Sequence, residues 1–185
     1  MRKILQFFIL SVFAGFLTTN ANAQIPLLPK LPKVLVFGNG TYANPLNADF
    51  KNLSNNGIGF EVGAGIGMGK TIFRASVGQM SYNIPARTGY TADHLKVTPL
   101  KFGVRKYLIA GLFLNANVGL AIQQSDNNSA ATGSSFLYEG GAGFKFGFFE
   151  IGAAYTSYNM ALIKGQASSI TASSLLMKAG IAIKI

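Results

Sequence analysis

Residues 175–185 read LLMKAGIAIKI. Leu175, Met177, Ala179, Ile181, Ile183 and Ile185 share one parity, and Lys178, Gly180, Ala182 and Lys184 share the other. Neighbours on a β-strand face opposite sides, so this segment has one wholly apolar face and one face of small residues and isolated charges. The same split recurs upstream. Leu112, Leu114, Ala116, Val118, Leu120 and Ile122 oppose Asn115, Asn117, Gly119, Ala121 and Gln123. Ile58, Phe60, Val62, Ala64 and Ile66 oppose Gly59, Glu61, Gly63, Gly65 and Gly67. Phe136, Tyr138, Ala142, Phe144 and Phe146 oppose Glu139, Gly141, Gly143 and Lys145. A face of glycine and lone charges suits a crowded polar lumen better than a solvated surface, which turns the apolar face outward to lipid.

Working outward from that stretch, strands are predicted at 33–42, 57–67, 71–82, 95–106, 111–123, 135–146, 149–160 and 174–185. The first of these, Val34 to Tyr42, does not alternate cleanly, and no faces are assigned to it. The connections alternate in length. Ala43 to Asn56, Asn83 to His94, Gln124 to Ser134 and Ala161 to Ser173 are long and polar. Met68 to Lys70, Tyr107 to Ala110 and Gly147-Phe148 are short. An even strand count with alternating loops places both ends of the sheet on the short-turn side. The expected fold is therefore all-β, an eight-stranded antiparallel up-and-down transmembrane barrel.

Composition agrees with that class and narrows the function. The 185 residues are 49% hydrophobic and only 12% charged, about half the charged fraction usual for a soluble domain. With no cysteine there is no disulfide framework, thiolate metal site, cysteine nucleophile or lipoprotein attachment residue. Met1-Arg2-Lys3, the apolar run Ile4 to Leu17 and the triplet Ala21-Asn22-Ala23 have the layout of a secretory signal peptide over 1–23. The apolar run is shorter than the roughly 20 residues that span a bilayer. Residues 24–32 then form a proline-rich periplasmic lead-in, and 33–185 the barrel domain. Without Arg2 and Lys3 the net charge falls from +10 to +8, a balance that by itself suits nucleic acid, anionic lipid or acidic glycolipid alike, and that at the external loops would engage anionic lipopolysaccharide. Lys51, Arg87, Lys96 and Lys164 lie near the long loops where such contact would occur.

These features together resemble the small outer-membrane β-barrel proteins, including the membrane domain of OmpA-like proteins. The resemblance covers about residues 33–185 and rests on pattern rather than on a diagnostic motif. It implies an outer-membrane location with periplasmic termini, contact with outer-membrane lipid, and delivery by the barrel assembly machinery. The last strand resembles the family's assembly signal, although members commonly finish on an aromatic residue and this chain finishes on Ile185. Two groups of aromatics fit interfacial girdles. Tyr42, Tyr82, Phe136, Tyr138, Tyr155 and Tyr158 lie toward the long loops, and Tyr107, Phe113, Phe146, Phe148 and Phe149 toward the short turns.

Residues 64–71, AGIGMGKT, approach a phosphate-binding loop, with Ala64 in place of its first glycine. Such a loop needs a helix after it, whereas Thr71 to Val77 alternates as a strand, so no nucleotide is expected. No nucleic acid, cofactor or metal is expected either. His94, the single histidine, stands beside Asp93 and could be cast as a general base toward Ser81. The spacing requires no such triad, and the chain is read as a non-enzyme.

The inward-parity charges carry the site expectation. Glu61, Lys101, Glu139 and Lys178 stand about seven residues from the short turns on the second, fourth, sixth and eighth strands, with alternating sign. Arg74, Arg105, Lys145, Glu150 and Lys184 lie nearer those turns. Buried charges need partners, so these nine are expected to form a lumen network of ion pairs and hydrogen bonds. A filled lumen argues against a general porin and for a non-enzymatic barrel serving envelope structure or surface interaction through its external loops. The alternatives are a narrow channel for small apolar solutes and a lipid-modifying enzyme built around His94.

Overall fold

The structure, a computed structural model, describes residues 32–86, 93–125, 133–161 and 169–185. The proposed signal peptide, nearly all of the lead-in, Arg87 and Lys164 lie outside the described residues. Eight strands close into one antiparallel barrel, each paired with its neighbours in chain order and the last with the first. They are β1 (Lys33–Pro45), β2 (Gly57–Met68), β3 (Thr71–Ile84), β4 (Asp93–Tyr107), β5 (Leu112–Ser125), β6 (Gly133–Phe146), β7 (Phe149–Ala161) and β8 (Ser169–Lys184). Several strands run further toward the long loops than the alternation suggested, β8 starting at Ser169 rather than 174. In the added stretch the apolar residues, Ile170 and Ala172, fall on the inward parity and Thr171 and Ser173 on the other, the reverse of 175–185, so the outward apolar stripe does not mark it although its backbone groups pair.

The short connections are tight turns. Gly69-Lys70 joins β2 to β3 with Gly69 at φ +62°, and Gly147-Phe148 joins β6 to β7 with Gly147 at φ +61°. The left-handed backbone there is what glycine supplies at little cost. The phosphate-loop look-alike is thus the end of β2, a two-residue turn and the start of β3, with no helix after it.

Parity sorts the side chains. Outward positions are apolar and open: Ile58 is 69% exposed, Phe73 64% and Phe136 63%. Among the described residues, the outward strand positions carry only two lysines, Lys96 near the long loops and Lys106 near the short turns. Strand β1 has two distinct faces. Leu35, Phe37, Asn39, Thr41 and Ala43 are buried inside, and Val34, Val36 and Tyr42 are exposed. Gly38 and Gly40 on the outward side obscured its alternation.

Four of the expected girdle aromatics are elsewhere. Tyr82, Tyr158 and Phe113 are buried in the lumen, and Tyr107 packs against its apolar floor. They stand toward the correct ends of the barrel but on the inward parity. Tyr42, Phe136, Tyr138 and Tyr155 at one end, and Phe146, Phe148 and Phe149 at the other, do face outward.

One connection holds an element that the sequence reading missed. Helix α1 (Ala48–Leu53) lies between β1 and β2, in what read as a plain polar loop. Its Phe50 is fully buried.

Candidate functional site

The lumen is filled in layers. At the short-turn end Leu35, Phe37, Ile72 and Ala182 form an apolar floor. Above it Arg105 grips Glu150 with two bonds, Nη1 to Oε2 at 2.6 Å and Nη2 to Oε1 at 3.2 Å. Asn39 Nδ2 donates to the same carboxylate at 3.0 Å, and Arg105 Nε donates to Asn115 Oδ1 at 3.0 Å. A paired guanidinium and carboxylate with further amide partners is the arrangement in which buried charge is tolerated.

The next layer is a closed ring of four charges. Lys178 Nζ donates to Glu61 Oε2 and to Glu139 Oε1, each at 2.7 Å. Lys101 Nζ donates to Glu139 Oε2 at 2.8 Å and lies 2.9 Å from Glu61 Oε2. Each lysine thus touches both carboxylates, and each carboxylate both lysines. Arg74 Nη2 joins from below, donating to Glu61 Oε1 at 2.7 Å, and Asn117 Nδ2 donates to Glu139 Oε1 at 3.0 Å. The members are nearly or fully shielded from solvent. Shielding weakens both salt screening and competition from water, so these attractions act at a lower effective dielectric than surface pairs do.

Phe37 links the two charged layers. Its ring centre lies 4.1 Å from the Arg74 guanidinium carbon and 5.5 Å from that of Arg105. Phe113 lies 4.1 Å from the latter on its other strand. Cation–π contact of this kind gains strength where water is absent.

Above the ring the lumen turns apolar. Met80, Tyr82, Leu95, Val97, Leu137, Tyr158, Met160 and Leu176 pack together there, and Phe50 closes the cluster from the loop side. The Phe50 and Tyr82 rings meet edge to face at 5.1 Å. Two attachments hold α1 in place. On one side Asn47 Oδ1 accepts from Ser173 N at 3.0 Å, Asn47 Nδ2 donates to the Thr171 carbonyl, and Leu46 N donates to the Ser173 carbonyl at 2.8 Å. On the other, Asn55 N donates to the Asn83 carbonyl at 2.9 Å. A lone phenylalanine in a run of Asn, Asp, Lys and Ser was the available signal for this lid.

Of the nine candidate residues, the structure brings seven into the two charged layers. Lys145 and Lys184 are set apart at the short-turn rim. Lys145 stands directly across from Glu150 but turns its ammonium to the Gly147 carbonyl. Lys184 lies over the Tyr107 ring, 4.6 Å from its centre. The rim gives both a route to water, so neither is forced to find a buried carboxylate.

Among the described residues, Ser81 is not set against His94 in the strand register. His94 pairs with Asn83 across the β3–β4 ladder, while Ser81 pairs with Lys96. Both His94 and Ser81 stand on the outward parity. Among the described residues no group of three or more His, Cys, Asp or Glu could hold a metal ion.

No protein-family model matches the chain, and no curated protein matches it. Solved structures do. Ail, the attachment invasion locus protein of Yersinia pestis, superposes with a TM-score of 0.55 at 14% identity, covering 83% of this chain and 99% of Ail. Neisserial surface protein A gives 0.53 at 11%, covering 82% and 97%. The outer-membrane protein OprG of Pseudomonas aeruginosa gives 0.50 at 7%, covering 84% and 97%. The fold is that of the small eight-stranded outer-membrane barrels.

Proposed function

We infer that this chain, which shares the fold of the small outer-membrane barrels, is itself a non-enzymatic outer-membrane protein. Its role is envelope structure or surface interaction through its long loops. The observation that carries this reading is the inversion of polarity. A continuous apolar belt faces outward, while the charged side chains between the two ends of the wall are held inside. Such a surface is stable in lipid and a liability in water. Residues 1–23 act as the export signal, 24–32 as the lead-in, and the termini of the barrel are periplasmic. Assembly proceeds through the barrel assembly machinery.

The filled lumen supports a scaffold rather than a channel. Two charged layers and the lid of Phe50 lie across the axis, and two cavities among the described residues there are about 30 and 20 Å³, room for water. The surface available for partners is therefore the loop end. Basic Lys51 is exposed there on α1, and Lys96 stands on the outward wall nearby, which supports contact with the phosphates of lipopolysaccharide.

The test is a cold-versus-boiled gel shift on protein from a fractionated outer membrane. A folded band that moves only on boiling, in that fraction, is expected. A soluble periplasmic protein without a shift overturns the reading. Planar-bilayer recordings add a second check, with no steady conductance expected.

A further inference from the structure

The buried lumen charges do not balance. Glu61, Glu139 and Glu150 supply three negative charges, and Arg74, Lys101, Arg105 and Lys178 supply four positive ones. The ring of two lysines and two glutamates is neutral, and Arg105 is neutralised by Glu150, so the surplus belongs to Arg74. Its single carboxylate contact is to Glu61, which the two lysines already share. An uncompensated buried charge is costly.

The surplus borders a cavity. Between the two charged layers lies a space of about 20 Å³ lined by Asn39, Arg74, Arg105, Asn115, Glu150 and Lys178, among others. Three cations and one carboxylate face it. Arg74 is only 5% exposed, and its Nε–H has no hydrogen-bond partner among the described residues. The unpartnered acceptor nearby, Asn39 Oδ1, lies against the wall: a Cβ on Gly180 would stand 2.4 Å from it. The cavity is therefore bordered by excess positive charge, and one of its lining cations carries an unused donor. Its volume exceeds the ~10–15 Å³ that one water-sized occupant needs.

We propose that this cavity binds a single halide-sized monovalent anion, held by Arg74 with Arg105 and Lys178 beside it, which neutralises the lumen. Water of the same size would satisfy the Nε–H but leave the charge.

Crystals of the full barrel grown or soaked in bromide test the assignment directly. An anomalous peak between Arg74, Arg105 and Lys178 is expected. A cavity holding only non-anomalous density, or none, overturns the proposal. A second measurement follows thermal unfolding in detergent at fixed ionic strength, exchanging gluconate for chloride or bromide. The midpoint should rise by a few degrees in either halide, because an anion bound only to the folded state stabilises it. Arg74→Met removes the surplus charge and should abolish that response. Equal midpoints in gluconate and halide, or a halide response that persists in Arg74→Met, count against the site. Should Arg74→Met fail to fold, the bromide map of the unaltered protein decides alone.

Discussion

Phe37 lies directly across the β1–β2 ladder from Gly63, its ring in the volume that a side chain at 63 would take. A Cβ there would stand 2.4 Å from the ring and 2.4 Å from the Ala75 carbonyl. The same pairing recurs where Tyr82 faces Gly57 and Phe113 faces Gly143. Each glycine makes room for an aromatic ring, and two of those rings carry the arginines of the charged layers. Gly63→Ala is thus expected to destabilise the barrel by about 1–3 kcal/mol, the usual cost of overpacking. Denaturant midpoints of the folded protein in detergent check this, and an unchanged midpoint would show that Phe37 can move aside freely.

Removing one member of the four-charge ring should cost more than removing a rim charge. Glu139→Gln leaves Lys101 and Lys178 each with one carboxylate fewer, and a loss of about 3–5 kcal/mol is expected for a broken buried pair. Lys145→Met, at the rim, should stay within about 0.5 kcal/mol. The two variants measured side by side in the same detergent separate burial from charge as the cause.

Phe50→Ala should uncouple the lid from the wall. Truncating a fully buried phenylalanine typically costs about 3–5 kcal/mol, but here the loss falls on α1 and the upper lumen. Hydrogen exchange should accelerate for residues 48–54 while amides around Glu61 and Lys101 keep their protection. Equal acceleration in both places would mean that the lid and the wall unfold as one unit.

The β3–β4 ladder skips Thr98 and Pro99, opposite Gln79 and Gly78, because proline has no N–H to donate. Pro99→Val should restore a ladder bond at that position. Slower exchange at Gly78 and Gln79, with a stability change of about 1 kcal/mol or less, is the expected result.

Much of this was legible in the residues, and the reasons for the gaps are physical. Parity in β2, β5, β6 and β8 gave the two faces directly, because lipid and lumen impose opposite requirements on alternate residues. Glu61, Lys101, Glu139 and Lys178 could be set at one height by counting from the turns, which needs only the up-and-down topology. Partner choice was not legible. That Arg105 takes Glu150 while Lys145, directly across from Glu150, turns to a carbonyl depends on reach and on access to water at the rim. Phe50 was invisible to periodicity because a six-residue helix offers too few turns to show a stripe. Tyr82 and Tyr158 were drawn toward the membrane interface by residue type alone, when their parity already pointed inward.

The ring draws its members from β2, β4, β6 and β8, so an intervening strand separates each from the next. A hairpin, or even half of the sheet, cannot bring an ammonium onto both carboxylates at once. Until β8 meets β1, at least one of these charges faces the interior without its full complement of partners. Open forms of the sheet are thereby penalised and the finished cylinder is favoured. The four side chains thus work as a seal on closure, completing their set of partners only once the last strand has found the first.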